Sequence, residues 1–215
     1  MLDLRPYAQL HTVQVLKDLI RRWYGVELAF ADARGWVMDH AEGQVIPPGN
    51  DFCRLSLFSR EGFRRCNESV KEVVVKLRAP GRARRTVVHP CHLGFDVVAA
   101  PLVLDGDLAG FVFVGGGVHA DVPAERRAEL VQEMREIVPI DEVDRQPPSV
   151  IPRLGDGDLE HLQDLLELAA REVEAHHAER RREERMNGAA RTSVALRFDG
   201  VVGTSRAMRE VVRLL

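Results

Sequence analysis

Residues 91–117 read CHLGFDVVAAPLVLDGDLAGFVFVGGG. Two apolar runs, 97–104 and 108–114, flank Asp105-Gly106-Asp107. Asp-Gly between apolar runs signals a β-hairpin, because the turn needs positive φ and glycine supplies it without a Cβ clash. The stretch therefore reads as a buried antiparallel strand pair, with Cys91-His92 on its lip just before Gly94. A thiol beside an imidazole at the edge of a sheet points to a pocket. In a period-two strand Phe111 and Phe113 share one face while Val112 and Val114 take the other, and either face suits a pocket.

Upstream of the hairpin, 4–24 carries Leu10, Val13, Leu16, Leu19, Ile20 and Trp23 at helical spacing, with Gly25 placed as a C-terminal cap. Residues 26–30 alternate as a strand, and Ala33-Arg34-Gly35 turns the chain into Trp36-Val37-Met38. Pro47-Pro48-Gly49 marks 43–50 as a loop. Ser59 is a natural N-cap for a helix from 60 to about 78, whose stripe of Phe63, Cys66, Val70, Val73, Val74 and Leu77 points Cys66 inward. Pro80-Gly81 stops it, and Arg82, Arg84 and Arg85 form a solvated loop ahead of the strand 86–88.

Downstream, 123–138 reads as a helix and the Pro- and Asp-rich segment 139–154 as a domain boundary. A long helix follows from Asp158, with Leu159, Leu162, Leu166, Ala169, Val173 and His176 in a heptad seam. That seam suits a parallel homodimer, or one helix packed on its own domain. Asn187-Gly188 ends the helix and 189–196 is a linker. The fold class is therefore α+β, an antiparallel sheet flanked by helices and followed by a coiled-coil-like helix. Its helix–strand–turn opening resembles PAS- and GAF-like sensor domains. The organisation is a sensor domain (1–140), a loop (141–157), a signalling helix (158–187), and a tail (188–215).

Composition narrows the function. The chain has 215 residues, 45% hydrophobic and 29% charged, which suits one core-bearing domain with an extension. A formal net charge of −3 gives no electrostatic reason to bind nucleic acid. No run approaches the roughly 18 apolar residues of a membrane span, and the N-terminus lacks a signal-peptide pattern. A cytoplasmic protein without a membrane partner is expected. Three cysteines, Cys53, Cys66 and Cys91, are an odd number outside an oxidising compartment, which favours thiols or a metal site over disulfides.

The tail carries Gly203-Thr204-Ser205-Arg206-Ala207-Met208-Arg209-Glu210-Val211. It resembles the opening of the AAA+ domain of sigma-54-dependent (NtrC-type) transcriptional activators, where G-x-[SA]-x-x-M-x-x-[VL] precedes the nucleotide loop. The Walker motif that should follow is not in the sequence, so the tail reads as a truncated start of that domain. The resemblance implies ATP, sigma-54 RNA polymerase and DNA as partners of a longer protein, with ATP hydrolysis outside these residues.

Asp51-Phe52-Cys53, Gly62 through Cys66, Cys91-His92-x-Gly94, Val98-Ala99-Ala100-Pro101-Leu102, Gly110 and Gly115-Gly116 together resemble the PocR-type sensory domain, a PAS-like variant. The resemblance implies a regulatory domain that senses small hydrocarbon derivatives. Gly94-Phe95-Asp96 departs from the Gly-aliphatic pattern of many relatives, so the ligand does not transfer.

Three readings of the cysteines stand. They are small buried hydrophobes. They are ligands, with His92 or His89 as a fourth, for zinc or an iron–sulfur cluster. Or they are a redox switch, which needs a lowered thiol pKa. Phe30, Trp36, Phe52, Phe95, Phe111 and Phe113 are the candidate pocket lining. Cys91-His92 as a catalytic pair is disfavoured, because neighbours on a strand face opposite ways and no third group orients them. No enzyme is expected; the rivals are a ligand sensor and a ligand-free dimerisation module. In the sensor reading, the helix carrying Leu159, Leu162, Leu166, Ala169 and Val173 relays the signal.

Overall fold

A computed structural model of the chain describes residues 3–35, 51–79, 85–123, 125–137, 151–192, 196–198 and 201–203. It divides into two units, Met1–Glu174 and Ala175–Leu215. Among the described residues no helix is long and apolar enough to cross a membrane.

The hairpin is present. β3 (Asp96–Leu104) and β4 (Asp107–His119) pair antiparallel, with Leu104 opposite Asp107. Both turn residues have positive φ, 52° at Asp105 and 94° at Gly106, the two-residue geometry that matches strand twist. β1 (Glu27–Asp32) joins β4, and β2 (Val87–Pro90) joins β3, giving the order β1-β4-β3-β2, all antiparallel.

β4 runs five residues beyond the apolar run, through the three glycines to His119. The reason is a fifth strand. β5 (Arg153–Leu154) pairs parallel to Val118 and His119. At Gly117 a Cβ would sit 2.7 Å from Leu154 Cδ1, so only a bare backbone lets that strand approach. The segment expected to be a boundary thus ends as part of the sheet. Residues 36–50 and 138–150, including Trp36 and most of both expected loops, lie outside the described residues.

The N-terminal helix is two helices, α1 (Arg5–Ala8) and α2 (His11–Tyr24), because Leu10 adopts an extended conformation (ψ 137°) between them. Gly25 caps α2 in the left-handed region. Trp23 falls off the buried stripe and is 61% exposed. α3 (Asp51–Phe58) has no counterpart in the sequence reading. α4 (Arg60–Arg78) starts where Ser59 predicts, its Oγ accepting from the Gly62 N–H at 2.9 Å. Phe63 is not on the core stripe; it is exposed on the solvent side. α5 (Arg126–Ile137) follows β4.

α6 (Asp156–Thr192) passes through Asn187-Gly188 instead of stopping there. Its seam packs on its own domain, the second of the two arrangements the spacing allows. Leu162, Leu166, Ala169 and Val173 are fully buried within the first unit, and Leu159 packs beside them. They meet α1, α2 and one face of the sheet, with Phe30, Val98, Ala100, Leu102, Val112 and Val114. These positions are filled by the chain's own core and offer no seam to a second chain. The opposite face of the sheet carries Ala31, Ala99 and Phe111 against Val73, Val74 and Leu77 of α4. A third cluster joins Phe52 and Leu55 of α3, Leu93 and Phe95 before β3, and Leu130 of α5. In the second unit β6 (Leu196–Phe198) and β7 (Val201–Gly203) form a short antiparallel pair. The AAA+-like residues after Gly203 lie outside the described residues.

Candidate functional site

Between the α4-facing side of the sheet and helices α3 and α4 lies a cavity of about 80 Å³. At roughly 10–15 Å³ per enclosed water, it has room for a group of several heavy atoms. The sheet supplies Ala29, Val97, Phe111, Phe113, Gly115 and Gly116. α4 adds Val70 and Val73. One end is polar: Cys53 and Ser56 from α3, Cys66 and Ser69 from α4, and Cys91 and His92 from the turn after β2.

The corner between α3 and α4 fixes this polar end. Ser59 N–H and Oγ both donate to the Ser56 carbonyl, at 3.1 and 2.9 Å. The helices therefore meet with no slack, setting Cys53 and Ser56 against Cys66 and Ser69. Cys53-Arg54-Leu55-Ser56 and Cys66-Asn67-Glu68-Ser69 share one spacing. Three residues apart on a helix is one face, so each helix delivers a thiol and a hydroxyl together.

Cys91 and His92 are not on a strand. β2 ends at Pro90, and the chain turns tightly, Gly94 N–H donating to Cys91 C=O and Cys91 N–H to Phe95 C=O, each at 2.8 Å. Both side chains line the cavity, so the opposite-faces argument against a Cys–His pair does not hold. His92 is held by the two serines. Its backbone N–H donates to Ser69 Oγ at 3.0 Å, and its Nε2 lies 3.0 Å from Ser56 Oγ. Its Nδ1 is buried with no hydrogen-bond partner among the described residues.

Electrostatics keep these groups neutral. All three cysteines are thiols. Burial pushes the Cys53 thiol well up, and the neighbouring Cys91 and Cys66 add to it. Burial and Cys91 push Cys66 up to about 12. Burial also raises Cys91, against opposing backbone hydrogen bonds around Leu93 and Phe95. His92 is lowered by burial and then by the charge of Arg65, with Glu133 opposing. Neutral thiols are poor nucleophiles and slow to oxidise, the opposite of what a redox switch needs. All three line the same cavity. Among the described residues, however, no three His, Cys, Asp or Glu side chains converge as ligands of a single ion.

The aromatic candidates divide. Phe111 and Phe113 line the cavity, their ring centroids 5.6 Å apart. Phe30 points to the opposite face, because it pairs with Val112 in the register that sends Ala29 toward the cavity with Phe113. Phe52 and Phe95 meet edge to face at 6.1 Å in the third cluster, behind the cavity wall. His89, the alternative fourth ligand, is buried against Lys76, its Nδ1 2.8 Å from Nζ, and does not line the cavity. The sequence reading missed Ser56 and Ser69, although the repeated Cys-x-x-Ser spacing could have pointed to them; Val97 carries no such signal.

A family model described as the sensory domain found in PocR matches residues 8–171, most of the chain and the whole cavity. No curated protein and no solved structure matches. The match ends inside the buried half of α6, which fits that helix being part of the sensor and not an appendage. With a cavity of the size a small effector needs and a family match across every wall of it, the chain belongs to the PocR sensory-domain family and is a ligand-sensing regulatory domain.

Proposed function

We propose that this chain receives a signal for a bacterial, cytoplasmic sigma-54-dependent transcriptional regulator, through an effector held in the cavity. The observation that carries the reading is the continuity of the cavity wall with the output helix. β4 lines the cavity at Phe111, Phe113, Gly115 and Gly116, then pairs with β5, which leads within two residues into α6. Val118 N–H donates to Pro152 C=O at 2.9 Å, and Ala120 N–H to Leu154 C=O at 2.8 Å. Arg153 clamps the same junction, its guanidinium donating to the Ala120 and Val122 carbonyls. A shift of the glycine strand on filling the cavity moves β5, and with it the start of α6.

The effector shifts the output only if it binds the two poses of α6 with different affinity. The regulator context rests on the AAA+-like residues 203–211 and on the order of sensor, helix and motor start. In the regulator that carries this domain, Gly117→Val pushes a side chain into Leu154 at the relay. ATP hydrolysis should then stop responding to effector while the effector still binds. An unchanged response would sink the relay.

A further inference from the structure

The polar end of the cavity carries three thiols on three separate elements and one imidazole. Ser56 and Ser69 line the same end and hydrogen-bond His92. In the tautomer whose Nε2–H donates to Ser56, Nδ1 presents a bare lone pair. Metal-ligating histidines are commonly held this way, the second ring nitrogen donating to an orienting partner. Among the described residues nothing takes that lone pair: Nδ1 is buried and without a hydrogen-bond partner there.

The donors are soft. Thiolate and imidazole favour zinc, copper and iron–sulfur clusters over hard cations. All four line one cavity of about 80 Å³, and among the described residues no three of them are set to hold one ion. A polynuclear cluster is the thiophilic group that needs separated ligands around a filled volume. Val70, Val73, Val97, Phe111 and Phe113 give the rest of the wall an apolar surface, interrupted by Glu27, whose carboxylate is paired with Arg21.

We propose that the effector group of this cavity is an iron–sulfur cluster held by Cys53, Cys66, Cys91 and His92 Nδ1. Each thiol loses its proton to solvent as its sulfur–iron bond forms, and the iron and sulfide come from outside. The proposal deepens the sensing reading of the same cavity, but its test is independent of the relay.

The 215-residue chain is incubated without oxygen with a mixture of ferrous and ferric iron, sulfide and a thiol reductant, then desalted. The expected result is a brown protein with broad visible charge-transfer absorption, holding iron and sulfide in equal amounts with more than one of each per chain. Cys66→Ala should lose the absorption with its far-ultraviolet circular dichroism unchanged. Ser56→Ala, which frees His92 without touching a ligand, should release iron to a chelator at least several-fold faster. If Cys66→Ala does not fold, the wild-type and Ser56→Ala arms still decide. A protein that stays colourless, or takes up a single zinc ion in preference, overturns the proposal. If no iron binds yet filling the cavity still alters α6, the cluster fails and the sensing reading stands. If iron binds and α6 does not respond, the relay fails and the cluster stands.

Discussion

Ser59 shows how one hydroxyl sets the site. It caps α4 through Gly62 and at the same time ties that helix to the end of α3 through the Ser56 carbonyl. Replacing an N-cap serine with alanine costs about 1 kcal/mol. Ser59→Ala should lower stability in urea by at least that much, because it also loosens the corner that positions Cys53 and Cys66. His119 works at the other end of the sheet. Its Nε2 is 3.1 Å from Asp156 at the start of α6, and its Nδ1 is 3.4 Å from Asp121. The hydrogen bond to Asp156 raises its pKa above the ordinary 6.5, and the charges of Asp121, Asp156 and Asp96 add to it. A raised folded-state pKa favours the folded protein while the group is protonated. That contribution is complete below about pH 6.5 and is lost as pH rises through the raised value. The thermal midpoints of wild type and His119→Gln should therefore differ at pH 6 and converge by about pH 9. A difference independent of pH would mean the contact is not ionic.

At the scale of elements, α6 shows that a helical stripe does not name its partner. The apolar residues at spacings of three and four are on one stripe, as read, but a stripe does not say whether it meets a second helix or a sheet. Here it meets Phe30, Val98 and Val112. Leu166→Ala should consequently destabilise the domain itself by about 2–5 kcal/mol, the cost of a core cavity. Chemical denaturation monitored by circular dichroism checks this, and the midpoint should not depend on protein concentration. A concentration-dependent loss would restore the seam to a dimer. The hairpin was legible because its turn chemistry is local: Asp105-Gly106 specifies the turn without reference to anything distant. The end of β4 was not, because Gly117 is selected by Leu154, thirty-seven positions later, and no local pattern encodes that contact. α3 escaped for a similar reason: its eight residues, DFCRLSLF, give too few turns for a period to emerge.

Across the whole molecule, the sequence identified the sensor through scattered motif residues and placed Cys53, Cys66, Cys91 and His92 together, and the cavity indeed gathers all four. It could not choose the face of the sheet, because both faces are apolar; the register of β1 on β4 decides it, sending Phe30 away and Phe113 inward. Nor could it see that α6 packs its stripe from Leu162 to Val173 into the sensor's own core. The proposed relay requires that filling the cavity be felt at the start of α6. Val70 of α4 lines the cavity, so Val70→Phe fills it without any effector. Backbone hydrogen exchange on wild type and Val70→Phe tests the claim directly. It should show protection changing at the cavity walls and also across β5 and the first turns of α6. Changes confined to α4 and β4, with β5 and α6 exchanging as in wild type, would contradict it.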